Sequence, residues 1–146
     1  MIDGFRRVVR RLAASVTASA LACCAVAAAP AASAAETAEC QARPAEQHRD
    51  WTGMDFTGDL WCELQPGFVR IQSRSTSPVV GRMLYSPGWF VCWKRGSDYL
   101  GSDIWYYTQG DQVLTRPVTK AWGYMPAVAV KAPAPETTGL AKCPWS

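Results

Sequence analysis

The side chains with the most chemistry to offer are a single histidine, His48, six cysteines and seven tryptophans. A cysteine–histidine hydrolase needs a free thiol beside an imidazole. His48 sits in a polar stretch. The four cysteines that follow the leader (Cys40, Cys62, Cys92 and Cys143) are accounted for more simply as two disulfides. No two of them lie within a chelating turn of each other, which argues against zinc. Asp50, Asp55, Asp59 and Glu63 recur at short intervals, a spacing that would set them along one face of a short helix. They lack the alternating acids of a calcium loop and read as a solvated face. Asp98 with Asp103 is a carboxylate pair of the type glycosidases use, in a chain too short to build a cleft around it. No Gly-x-Ser-x-Gly elbow, His-Glu-x-x-His or phosphate loop occurs. The expectation is a protein that is not an enzyme, with no catalytic residue, metal or cofactor.

The aromatic residues are a different matter. Trp51, Trp61, Trp89, Trp93, Trp105, Trp122 and Trp145 all follow the leader. A small β-domain uses bulky residues to fill its core, and about half of these are expected there. Neighbours on a strand point to opposite faces, so Trp105-Tyr106-Tyr107 should place some rings outward, as should Trp122 with Gly123-Tyr124. Flat apolar rings with polar tips suit stacking on sugars or gripping extended peptides. Trp105, Tyr106, Trp122 and Tyr124 are the expected ligand-binding residues.

The elements that would position these groups begin after a leader. Met1 to Arg11 is basic, Leu12 to Ala29 is an uncharged Ala-rich run, and Pro30 to Ala34 is a small-residue segment ending in Ala-Ser-Ala. This is the order of a secretory signal peptide, with cleavage expected between Ala34 and Ala35. As a membrane span the run is poor, because Ala is weakly apolar and Ser15, Thr17 and Ser19 interrupt it. The formal net charge of +3 equals the excess of Arg6, Arg7, Arg10 and Arg11 over Asp3. The exported chain is therefore neutral, and nucleic acid is excluded as an expected partner. A hydrophobic share of 49% is too high for a disordered chain.

Four cysteines allow three pairings. Cys40–Cys62 with Cys92–Cys143 is preferred, since it closes the N-terminal segment on itself and pins the tail to the body. Residues 35–65 read as an N-terminal extension. Ala35 to Asp50 has no sustained period and reads as irregular. From Pro66 the pattern becomes short β-branched and aromatic runs with turn chemistry between them. Phe68–Gln72 alternates, with Val69 and Ile71 inward; Val79–Tyr85 and Trp89–Lys94 are further strands. Ser86-Pro87-Gly88-Trp89 fits a type II turn. Arg95–Ser102 reads as a loop, Ile104–Thr108 as a strand, and Ala121–Met125 and Ala127–Val130 as the last strands. Residues 131–146 are an extended tail. The architecture expected over 66–130 is all-β, a small barrel.

Several segments carry a likeness: Val69-Arg70-Ile71-Gln72-Ser73, Ser75-Thr76-Ser77-Pro78-Val79-Val80-Gly81, Gly88-Trp89-Phe90-Val91, Trp105-Tyr106-Tyr107 and Trp122-Gly123-Tyr124-Met125-Pro126. Through them residues 67–130 resemble the bacterial SH3-like (SH3b) family of secreted and cell-wall proteins, particularly small exported actinobacterial ones. The resemblance implies an SH3-like barrel and a non-catalytic module that binds cell-wall peptide or glycan. The alternative is a secreted inhibitor or accessory protein that binds a protein partner and uses the barrel as a scaffold. Both readings place the chain outside the cell, the first at the cell wall, with no stable membrane insertion.

Overall fold

The computed structural model describes residues 39–145. The expected leader, its cleavage point and residues 35–38 lie outside the described residues. The described chain is all-β, with nine strands, three short 3₁₀ turns and no α-helix among the described residues. No helix there is long and apolar enough to cross a membrane.

The strands make two antiparallel sheets. In the first, β1 (Cys40–Arg49) pairs with β2 (Asp55–Cys62), and β5 (Gly88–Phe90) pairs with the other side of β2. The second has the order β6 (Cys92–Tyr99), β7 (Ser102–Gln109), β9 (Trp122–Pro126), β3 (Gly67–Arg70), β4 (Val79–Met83) and β8 (Gln112–Val113). Its end strands β6 and β8 are not paired with each other, so the expected closed barrel is replaced by two sheets. One cause lies at Val91. The run Trp89–Lys94, read as one strand, breaks there: β5 joins the first sheet and β6 the second, while the Val91 N–H donates to Tyr107 C=O at 3.0 Å.

From Cys40 onward the N-terminal segment is not irregular. β1 carries no periodic signal because it is an edge strand exposed along most of its length. Its register with β2 defines it instead, from Cys40 opposite Cys62 to Arg49 opposite Asp55. The turn between them is built by Asp50, whose Oδ1 accepts the Thr52 N–H at 2.8 Å and the Met54 N–H at 3.0 Å. Gly53 takes a positive φ of 88° in that turn. The acid-bearing stretch read as one helical face is β2, with Phe56, Leu60 and Cys62 alternating into the core. The expected loop 95–102 is also strand. β6 runs to Tyr99, pairs with Ser102, and turns on Leu100-Gly101, both at positive φ as a two-residue hairpin of this kind requires. No type II turn forms at Pro87. The Ser86–Pro87 peptide is cis, and Gly88 opens β5, where an added Cβ would stand 2.6 Å from both Leu64 and Met83. Ala127–Ala129 is a 3₁₀ turn, and the tail holds another at Pro135–Thr137.

Both disulfides form as expected, Cys40–Cys62 and Cys92–Cys143. The core consists of two apolar clusters. Leu60, Val69, Val80, Phe90, Trp93, Tyr106 and Met125 make the first. Phe56, Trp105, Tyr107, Trp122 and Tyr124 make the second. The period of two along β7 and β9 therefore holds, yet nothing is left outside. Tyr106 and Met125 go to one cluster, while Trp105, Tyr107, Trp122 and Tyr124 go to the other.

Candidate functional site

The tail shapes one wall of a surface cleft. Cys143 is bonded to Cys92, its N–H donates to Trp93 C=O at 2.9 Å, and the Trp93 N–H donates to Ala141 C=O at 3.1 Å. The tail is thereby laid parallel along the start of β6. Trp145, two residues beyond the disulfide, is held over the second cluster. Its indole N–H donates to the Tyr124 hydroxyl, and its ring meets Tyr107 edge-on at 5.1 Å and Phe56 at 5.9 Å.

A second wall comes from the loop after β3. Ser97 N–H donates to Ser73 C=O at 2.9 Å, and Ser75 N–H donates to Ser97 Oγ at 3.0 Å. The approach is so close that a Cβ on Gly96 would lie 2.0 Å from the Ser73 carbonyl oxygen. The third wall is the β1–β2 turn, fixed by the Tyr107 hydroxyl donating to Asp50 Oδ2 at 3.1 Å.

Between these walls lie two hollows that share Ile71, Tyr124 and Trp145. One, of about 590 Å³, is lined by Gln72, Ser73, Arg74, Lys94 and Arg95. The other, of about 350 Å³, is bounded by Trp51, Met54, Tyr107 and Trp122. The first carries cations and no acid. Arg95 is paired with Asp103 at 2.8 Å and Glu136 at 3.4 Å, whereas Arg74 and Lys94 form no ion pair among the described residues. The second is apolar, since the Asp50 carboxylate is committed to the turn and to Tyr107. Burial, opposed by the Trp145 hydrogen bond, pushes the Tyr124 phenol up to about 12. Tyr107 is raised further still, first by burial and then by the charge of Asp50. Both phenols are neutral at ordinary pH and act as hydrogen-bonding groups.

The four expected ligand-binding residues are placed differently from that expectation. Trp105, Tyr106, Trp122 and Tyr124 are all buried, with at most 5% of their surface exposed. Trp105 donates its indole N–H to Ser97 C=O at 2.9 Å, and Tyr106 packs on Phe90 with ring centroids 5.3 Å apart. Neither lines either of these two hollows. The rings of β7 and β9 do not face solvent as expected, because the β1–β2 hairpin through Phe56 and the tail through Trp145 cover that side of the sheet. Trp122 and Tyr124 do contribute edges to the cleft, Tyr124 to both hollows. Sequence reasoning missed Trp145, Trp51, Met54, Arg74 and Lys94 as cleft residues. Only Trp145 had a usable signal, its place two residues from a cysteine expected to pin the tail.

The acids singled out in the sequence have partners. Asp55 is bound by Arg49 at 2.7 Å, which draws its carboxyl below the ordinary value, and Glu63 by Lys131 at 3.1 Å. Asp59 is fully buried, accepts from Arg43 Nε at 2.8 Å and lies 2.7 Å from His48 Nε2. That hydrogen bond raises the Arg43 guanidinium above its ordinary value. His48 also stacks on Trp89 with centroids 4.0 Å apart, so the lone histidine knits β1 to β2 and β5. Asp103 serves Arg95, and Asp98 accepts the Gly101 N–H at 3.4 Å in the hairpin turn. Among the described residues no cluster of three or more metal-ligating side chains comes together. In comparisons with known proteins, no family model, curated protein or solved structure matches the chain.

Proposed function

We propose that this is a secreted, non-catalytic binding module whose ligand is a carboxylate-bearing cell-wall peptide or glycan lying across Trp145. The observation that carries the reading is the divided cleft. An apolar aromatic hollow and a cationic hollow share the Tyr124–Trp145 wall, and Arg74 and Lys94 have no acidic partner among the described residues. A ring or apolar side chain would stack beside Trp51 and Trp145 while a carboxylate meets Arg74 and Lys94. Support from the sequence comes from the secretory leader, the paired cysteines and the likeness of residues 67–130 to the SH3b family, whose barrel this open pair of sheets would vary.

The test is retention on purified cell-wall sacculi. Trp145→Ala is expected to weaken retention by roughly 0.5–1.5 kcal/mol, the worth of one stacking contact. Arg74→Glu with Lys94→Glu should weaken it further, and retention should no longer fall as salt is raised. The Arg74/Lys94 variant should keep the parent melting temperature to within a few degrees, whereas Trp145→Ala, which also uncovers Tyr107 and Phe56, should melt lower and stay folded at the assay temperature. Retention equal to the parent in both would place the wall ligand elsewhere or nowhere on this protein.

A further inference from the structure

A second concavity, separate from the cleft, lies where β3 and β9 part. Their register is a single pair, Arg70 opposite Tyr124. Towards Gly67 the strands diverge, and Met125 fills the base of the gap, its Cε 3.1 Å from where a Gly67 Cβ would be. The resulting groove holds about 340 Å³. Three large apolar side chains from three different segments converge on it: Phe68 at 50% exposure, Leu100 at 79% and Val128 at 42%. Leu100 is set there by the β6–β7 hairpin turn, where it adopts a positive φ of 54°. Exposed apolar residues scattered singly need no explanation; three gathered around one groove mark a contact surface.

The charge around the groove is one-sided. Its only charged lining residues are Arg70 and Arg82, and neither is in an ion pair among the described residues. Arg70 is steadied by donating to Ser77 C=O at 2.7 Å, and the Arg82 guanidinium stands 5.7 Å from the Phe68 ring centroid. Held guanidiniums beside apolar walls recognise carboxylates flanked by hydrophobic side chains. We infer that this groove docks an extended acidic-apolar peptide of a protein partner, with its apolar side chains among Phe68, Leu100 and Val128 and its carboxylates on Arg70 and Arg82. The chain would then join a wall ligand at one surface to a protein at another.

The experiment uses the purified chain with both disulfides formed and a fluorescein-labelled peptide, Glu-Leu-Glu-Phe-Glu-Leu, read by fluorescence anisotropy. The lysine counterpart, Lys-Leu-Lys-Phe-Lys-Leu, is the control. Saturable binding of the acidic peptide is expected, at least about tenfold tighter than the control. Arg82→Glu and Leu100→Asn, both at exposed positions and the second compatible with a positive φ, should each weaken it about tenfold without shifting the melting temperature. Trp145→Ala should bind the peptide like the parent, so that failure of the cleft and failure of the groove are read separately. Absence of saturable binding, equal binding of the lysine peptide, or unchanged affinity in both groove variants overturns the inference. So does sedimentation showing a dimer that Leu100→Asn dissociates, since the groove would then be occupied by a second copy.

Discussion

Raising the pH tests the buried aromatic core directly. Burial raises Tyr106 and Tyr124 to about 12 and Tyr107 higher still, against an ordinary phenol value of about 10. A group whose folded value is raised binds its proton more tightly in the folded chain. The stability it contributes is fully present below pH ~10 and is lost as the pH rises towards the folded value. Between pH ~10 and ~12 each such tyrosine lowers stability by at most about 1.4 kcal/mol per pH unit, so three would remove at most ~4 kcal/mol by pH ~11. Tyr124 borders both hollows and Tyr107 borders one, and solvent screening there brings the sum down to about 2–3 kcal/mol. That is a large part of a typical domain stability of about 5–15 kcal/mol. Urea unfolding midpoints should therefore be flat from neutral pH to about 9 and fall steeply beyond 10. Tyrosinate absorbance followed in parallel should show three of the five tyrosines ionising only as near-ultraviolet ellipticity is lost. If all the phenols ionised reversibly in one step at the ordinary value with ellipticity intact, the rings would be solvent-exposed and the two-cluster core wrong.

Three substitutions probe other parts of the fold. Tyr106→Ala should destabilise by about 3–5 kcal/mol in chemical denaturation, because the ring is buried against Phe90 and no hollow adjoins it. Asp59→Asn removes the charge that pairs Arg43 and His48, and should cost about 2–3 kcal/mol, less than a fully enclosed pair because the Arg43 side chain is 27% exposed. Gly96→Ala drives a methyl group into the Ser73 carbonyl; loss of about 2 kcal/mol and faster amide exchange at Ser75 and Ser97 are expected.

Local rules already carried much of this protein. An even cysteine count after the expected leader implied two disulfides, and the preferred pairing is the one that forms. Val69 points inward, as the alternation of Phe68–Gln72 required, and the all-β class followed from short β-branched and aromatic runs without helical period. What no local pattern contained was the partner of each face. β1 has no periodicity because an edge strand buries little, so only its pairing with β2 makes it a strand. Trp89 to Lys94 looks continuous in sequence, and the switch of sheets at Val91 depends on what each half finds to pair with. The period of two correctly divided Trp105, Tyr106 and Tyr107 between two sides. Whether a side is wet depends on residues far away in the chain, Phe56 before it and Trp145 after it, which tertiary packing brings over the sheet. The cleft is of the same kind. Arg74, Lys94 and Trp145 are separate in sequence and become one surface only because a disulfide, a hairpin turn and the close approach of Gly96 to Ser73 converge on β6 and β9.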